Sequence, residues 1–351
     1  MSNLIASHQG LERTVAALVA SVALLGSLWG CTDHYLSESD TAGTDLFGYG
    51  PSCGSRCFSG ASCVEGICYA PGEEVYPGYS LIPSGTFLMG SPETEIGRYR
   101  EYEEQHTVVL SRSYAMKRTE VTQGEWREVM DSTPSYFATC GDDCPVERVS
   151  WWDALAFANA LSRLKGLPEC YALSECSGLP GSGCDEGRGH CWNQYSCVSV
   201  TFAGPGCLGY RLPTEAEWEW AARAGTTSTT YAGDPSGSEC EDQTLPMIGW
   251  CLCNSEYVTH RVGGKRPNAW GLSDMLGNVT EWVWDYFEAR PQDVIDPVGP
   301  PEPTSVPYTG RVCRGGNVIS IEGFLRSASR TWEGSRDRKY DIGFRPVRTV
   351  P

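Results

Sequence analysis

Ten of the seventeen cysteines stand in two tight clusters, and no other feature restricts the fold of this chain as much. Cys53, Cys57, Cys63 and Cys68 lie within CGSRCFSGASCVEGIC. Cys170, Cys176, Cys184, Cys191, Cys197 and Cys207 lie in one long Gly-rich stretch. Segments built from Gly, Ser and Cys bury too little apolar surface to fold alone, so cross-links must supply what a core cannot. Zinc is the competing explanation, because Cys140 with Cys144 and Cys251 with Cys253 are close pairs. Zinc sites prefer C-x2-C knuckles, and the sequence has none. Disulfides are therefore expected. The 40 glycines and 22 prolines disfavour a helical bundle. Only five histidines occur, none at metal-ligand spacing, so a three-histidine metal site is not expected. Acidic residues outnumber basic ones, 44 to 27, and the net charge of −17 argues against a nucleic-acid partner.

The amino terminus points to an oxidising compartment. Residues 14–30, TVAALVASVALLGSLWG, are uncharged and mostly apolar. The run is short for a membrane span, which needs about 20 residues, and suits a signal-peptide core. It ends at Gly30 followed by Cys31, like a bacterial lipoprotein cleavage site, where the Cys becomes the lipidated amino terminus. Residues 1–30 are read as a signal peptide and Cys31 as the lipid carrier, with an uncleaved signal anchor as the alternative. With Cys31 set aside, sixteen cysteines remain, an even number that allows up to eight disulfides.

Residues 31–50 are acidic and polar, as a tether between lipid and folded protein would be. Residues 51–70 form a small disulfide-rich knot of unreadable connectivity. From Tyr79 onward the composition is uniform and Trp-rich, which suggests one large domain over 79–350 with a Cys-rich insertion at 170–207. Three helix starts carry capping boxes: Thr122 with Glu125, Ser150 with Asp153, and Thr214 with Glu217. Gly166 and Gly225 stop the second and third helices. Trp218 and Trp220 should point to different faces of the third, and Arg211 and Arg223 should pair with its carboxylates. Strands are expected in YSLIPSGTFLMG, HTVVLSRSYAMKR, RVCRGGNVI and DIGFRPVR. The class is α+β with much irregular backbone.

The blocks IPSGTFLMGS (82–91), KRTEVTQGEWREVM (117–130), GYRLPTEAEWEWAARAG (209–225), GGKRPNAWGLSDMLGNVTEWVWD (263–285), RVCRGGN (311–317) and DIGFRPVR (341–348) occur in one order. Together they resemble the formylglycine-generating enzyme, or sulfatase-modifying factor, family. The resemblance implies a C-type-lectin-like core and covers neither the 51–70 knot nor the 170–207 insertion. It also implies a structural calcium held by side-chain oxygens of Asp274 and Glu281 and backbone carbonyls of Gly277 and Val279. Calcium takes six to eight oxygen ligands, which a Gly-containing turn between two carboxylates can converge.

Members that make formylglycine use two cysteines, five residues apart after the Gly-Gly pair, to bind copper(I). Counting from Gly315 and Gly316, Ser320 stands at the first position and Leu325 at the second. Neither can ligate copper(I), which favours soft thiolates, so no copper is expected. Cys313 precedes the glycines, and a disulfide is its expected fate. No histidine lies near Ser320 in sequence, so no triad is apparent.

The leading expectation is an exported, lipid-anchored binding or scaffold module without formylglycine formation. Its partner would be a peptide, a glycan or another envelope protein, and it would meet the membrane through the amino-terminal lipid. The alternative is an oxidoreductase of altered chemistry, of the formylglycine-generating or pyoverdine-tailoring type. Trp151, Trp152, Arg326, Arg330 and Trp332 are candidates to line a peptide groove, against core packing for the tryptophans and ion pairs for the arginines.

Overall fold

A computed structural model describes residues 61–64, 67–99, 101–182, 194–235, 242–287, 294–302 and 309–351. The signal peptide, Cys31, the tether and the first half of the knot lie outside the described residues. Each capping box forms as the sequence requires. Helix α1 (Gln123–Met130) starts at Thr122, α2 (Trp151–Leu164) at Ser150 and α3 (Glu215–Arg223) at Thr214. In each, the cap side chain accepts from the third backbone N–H of the helix, and the acidic residue there reaches back to the cap N–H. Those reciprocal bonds satisfy donors that a helix start leaves unpaired. A single turn, α4 (Leu245–Ile248), follows much later.

The strands are shorter than their sequence blocks, and proline explains two breaks. Tyr79–Ile82 and Gly85–Met89 are separate strands around Pro83, which has no N–H to donate to a ladder. The segment that pairs with them breaks too, into His106–Leu110 and Tyr114–Lys117. The two corners are tied where the Ser84 N–H donates to Ser113 Oγ at 3.1 Å. The last block divides at Pro346 into Ile342–Gly343 and Val347–Thr349.

These pieces build a five-stranded sheet in the order Tyr210–Arg211, Val347–Thr349, Tyr114–Lys117, Tyr79–Ile82, Glu74–Tyr76. A four-stranded sheet runs Arg330–Glu333, Arg311–Arg314, Thr280–Tyr286, Ile342–Gly343. Helix α2 packs on one side with Trp151, Phe157 and Ala158 buried against Trp282 and Phe344. Helix α3 packs on the other with Trp218, Ala221 and Ala222 against Met275, Val283 and Val312. The result is mixed α+β with little helix.

The insertion is ordered at its base. Cys170 is bonded to Cys207, and Cys176 to Cys197 inside it. Between them, Tyr171–Ser174 pairs antiparallel with Ser199–Phe202. Tyr171 is buried, and its ring stacks on Trp284 at 5.3 Å. Its backbone exchanges two hydrogen bonds with the Asn159 side chain of α2. Cys140 and Cys144 are also joined, which removes them from zinc binding. Cys63, Cys68 and Cys253 are each disulfide-bonded as well. Such bonds persist in oxidising, extracytoplasmic surroundings.

Two cysteines correct the expectation of full pairing. Cys251 and Cys313 are buried free thiols. Cys313 sits within the sheet, opposite Trp282 on one side and Thr331 on the other, with no cysteine across from it. Burial pushes its pKa well above the ordinary thiol value, with Glu333 acting in the same direction.

Candidate functional site

The strand Arg311–Arg314 ends in Gly315 and Gly316, at φ 95° and 69°. A side chain at Gly315 would come within 3.0 Å of the Met275 carbonyl and 3.2 Å of the Trp218 ring. Only glycine allows this close turn, which delivers the chain to Asn317. Asn317 is the hub of the following loop. Its Nδ2 donates to Thr280 Oγ1 and Asp341 Oδ2, at 3.0 and 2.9 Å. Its Oδ1 accepts from the Ile319 N–H and the Ser320 hydroxyl, both at 3.0 Å.

Ser320 is therefore committed. Its hydroxyl donates to Asn317 Oδ1 and accepts from the Asn317 N–H at 3.0 Å. Leu325, five residues on, goes elsewhere. It is fully buried with Leu245, Ile248, Cys251 and Leu276 in a separate apolar cluster. Ser320 lines a cavity, whereas Leu325 is packed in the apolar cluster and is not among the lining residues.

The cavity has a volume of about 390 Å³. Cys313, Asn317 and Asp341 line it together with Ser320, Glu333 and Lys339. Ile319, Ile321 and Phe324 complete its rim. Lys339 pairs with Glu333 at 2.5 Å. Asp341 keeps one oxygen, Oδ1, buried and without a hydrogen-bond partner. Burial raises the pKa of this carboxyl, its own backbone and Lys339 oppose the shift, and Glu333 adds to it. A cavity of this size with a few polar groups on a stiff frame suits ligand binding.

Residues 69–350 match the family described as the sulfatase-modifying factor enzyme 1-like domain. The chain belongs to this family. It is 33% identical over 256 residues to "Chaperone protein LppX" of Paenibacillus barcinonensis, covering 69% of this chain and 82% of that one. It is 29% identical over 318 residues to a formylglycine-generating enzyme of Thermomonospora curvata, covering 78% of this chain and 94% of the enzyme. Among solved structures, Treponema denticola variable protein 1 superposes with a TM-score of 0.60 at 29% identity, over 83% of this chain and 98% of that one.

In this sulfatase-modifying-factor domain the five groove candidates separate. Trp151 and Trp152 are core residues of α2. Arg326 is buried, with Glu95 at 2.6 Å and Glu103 at 2.7 Å. Arg330 reaches the cavity edge, but Glu215 holds its Nε at 2.7 Å. Trp332 is half-buried and packs on Phe287 at 4.4 Å. Of the five, only Arg330 touches the cavity.

The calcium candidates also separate. Glu281 places both oxygens on Arg345, at 2.7 to 2.9 Å, and accepts from Trp218 Nε1 at 2.8 Å. Asp274, at φ 56°, accepts from the Gly263 N–H through Oδ2, while its Oδ1 is a buried orphan. Both oxygens of Glu120 are buried orphans too. Burial drives the Glu120 carboxyl well above its usual range, and Asp274 adds to the shift. Orphaned carboxylate oxygens fit an oxygen-seeking cation. Asp274 and Glu120 meet that requirement, whereas Glu281 is engaged by Arg345.

Sequence reading missed Asn317, Glu333, Lys339 and Asp341. The available signal was Asn317 directly after two glycines, and Asp341 opening the DIGFRPVR block.

Proposed function

We propose that this chain is an exported binding module of its family, holding an extended segment of another envelope polypeptide and making no formylglycine. One observation carries the reading. The positions matched to the family's copper-binding cysteines are a hydrogen-bonded Ser320 and a core Leu325, and the single thiol at the cavity, Cys313, is buried with a raised pKa. Copper(I) chemistry of that type needs two accessible thiolates. A relative named as a chaperone agrees with a role in holding polypeptide.

Incubation of the purified protein with copper(I), oxygen and a C-x-P-x-R peptide tests this. No aldehyde is expected. An aldehyde product would favour the second reading, an oxidoreductase working through Cys313, which does line the cavity.

Anchoring through lipid on Cys31 belongs to the same proposal. Cys31→Ser should move the protein from the membrane fraction to the soluble fraction, and unchanged partition would rule the anchor out. Calcium is proposed as a structural ion held by Asp274, with the Gly277 and Val279 carbonyls and the nearby Glu120. Glu281 would join only by releasing Arg345. Chelation should lower the melting temperature, since a ligand of the native state stabilises by mass action.

A further inference from the structure

Glu147 is a fully buried carboxylate on the segment that leads into α2. Its oxygens meet backbone N–H groups instead of a guanidinium. The Tyr136 N–H donates to Oε2 at 3.0 Å, and the Phe137 N–H donates to Oε1 at 2.8 Å. The Glu147 N–H in turn donates to Ser135 Oγ at 3.4 Å. One residue therefore ties 135–137 down.

The segment 132–137 is pinned at both ends. Asp131 at φ 52° and Gly141 at φ 101° bracket it. Ser132 Oγ accepts from Trp126 Nε1 at 3.0 Å, and the Cys140–Cys144 disulfide closes the far side. Between these points the backbone is held by Glu147 and by Gln123, whose Nε2 donates to the Phe137 carbonyl at 3.2 Å. The rings of Tyr136 and Phe137 lie on Tyr340, with centroids 5.7 and 5.9 Å away. Tyr340 stands between Lys339 and Asp341, which both line the cavity. The segment thus packs on part of the cavity wall.

Ionisable groups face Glu147 from each packed segment. Tyr136 belongs to 132–137, and Arg148 sets its guanidinium over the Tyr136 ring at 5.3 Å. The segment opposite carries Arg338, Lys339, Tyr340 and Asp341, and Arg338 Nε donates to the Arg148 carbonyl at 2.7 Å. Burial pushes the Glu147 carboxyl up to about 7, the two N–H groups and Arg148 oppose the shift, and Asp341 adds to it. A protonated carboxyl sheds the buried charge yet keeps lone pairs that can accept N–H groups.

We infer that segment 132–137 is a proton-controlled flap on the cavity wall, held shut while Glu147 carries a proton and loosened once Glu147 is ionised. The flap stands whether or not the cavity holds a polypeptide. In the loosened state the carboxyl is solvated and titrates near the ordinary glutamate value of about 4.3. The shut state binds the proton more tightly, so shutting is favoured fully below that value. The preference is lost as pH rises through about 7.

Amide hydrogen exchange on the full chain, corrected for the intrinsic pH dependence of exchange, tests this. Protection of the Tyr136 and Phe137 amides should fall by up to about tenfold per pH unit between about pH 5 and 7, then level off. At each pH in that range these amides should be less protected than those inside α2, because a local opening exposes them first. Glu147→Gln should remove the pH dependence at both amides. Asp341→Asn takes away a neighbouring negative charge and should bring the levelling to lower pH. Protection at Tyr136 and Phe137 that does not change with pH overturns the inference. Protection equal to that of α2 at every pH also overturns it, since the segment would then open only with the whole domain.

Discussion

The strand Arg311–Arg314 separates two regions that use buried charge in opposite ways. Toward α3, acid meets base. Arg211 holds Glu217 at 2.6 Å, Arg223 holds Glu219 at 2.8 Å, and Arg314 reaches both Glu219 and Glu215. Burial opposes ionisation of Glu219, yet Arg223, Arg314 and the Gly90 N–H together keep its carboxyl below the ordinary value. On the cavity side, Asp341 keeps a buried oxygen, Oδ1, without a hydrogen-bond partner among the described residues. Buried ion pairs cost desolvation and are weak evidence of function. The imbalance is the informative feature, because the carboxylates of α3 are each met by an arginine, whereas Asp341, like Glu120 and Asp274, keeps a buried oxygen without a hydrogen-bond partner.

The largest expected effect comes from breaking the balanced side. Glu219→Gln leaves Arg314 and Arg223 short of charge in the interior and should cost about 3–5 kcal/mol in urea unfolding. A loss under about 1 kcal/mol would mean that the network relaxes like a surface one. The double change Cys170→Ser and Cys207→Ser opens a loop with a sequence separation of 37 residues. Chain-entropy reasoning gives a loss of up to about 4 kcal/mol. The copper assay should stay negative in that variant as in the unmodified protein, and none of the insertion's described residues lines the cavity.

Asp285 sharpens the comparison through pH. Burial pushes its carboxyl up to about 8, with Glu215 adding to the shift. The native state therefore binds a proton that the unfolded state has released. This contribution to stability is fully present below the unfolded pKa and is lost as pH rises toward 8, at up to about 1.4 kcal/mol per pH unit. Asp285→Asn should flatten that decline, and an unchanged slope would assign it to other groups. The smallest effect concerns thiols. Neither Cys251 nor Cys313 should react with a thiol reagent in the native protein, and both should react in denaturant. Fast labelling of native Cys313 would mean that the cavity floor opens.

Legibility followed distance along the chain. The three caps were readable because each box spans four residues, and Arg211 and Arg223 found the acids of their own helix. The breaks at Pro83 and Pro346 had a local cause as well. Cysteine parity misled for a plain reason: two free thiols leave an even remainder just as eight pairs do. Trp151 and Arg326 carried no mark in sequence to separate core packing from groove lining. The cavity was not readable, because Thr280, the Cys313–Asn317 stretch and Asp341 come from three separate segments.

The sequence by itself determined the family, the capped helices, the stapled insertion and the identities of Ser320 and Leu325. Residue type and short spacing suffice for each of these. Tertiary structure decided that Ser320 is tied to Asn317, that Leu325 is a core residue, that Cys313 is unpaired and that Asp341 keeps a free oxygen. These are sums over neighbours brought together from distant segments, and whether a buried charge is balanced depends on that sum.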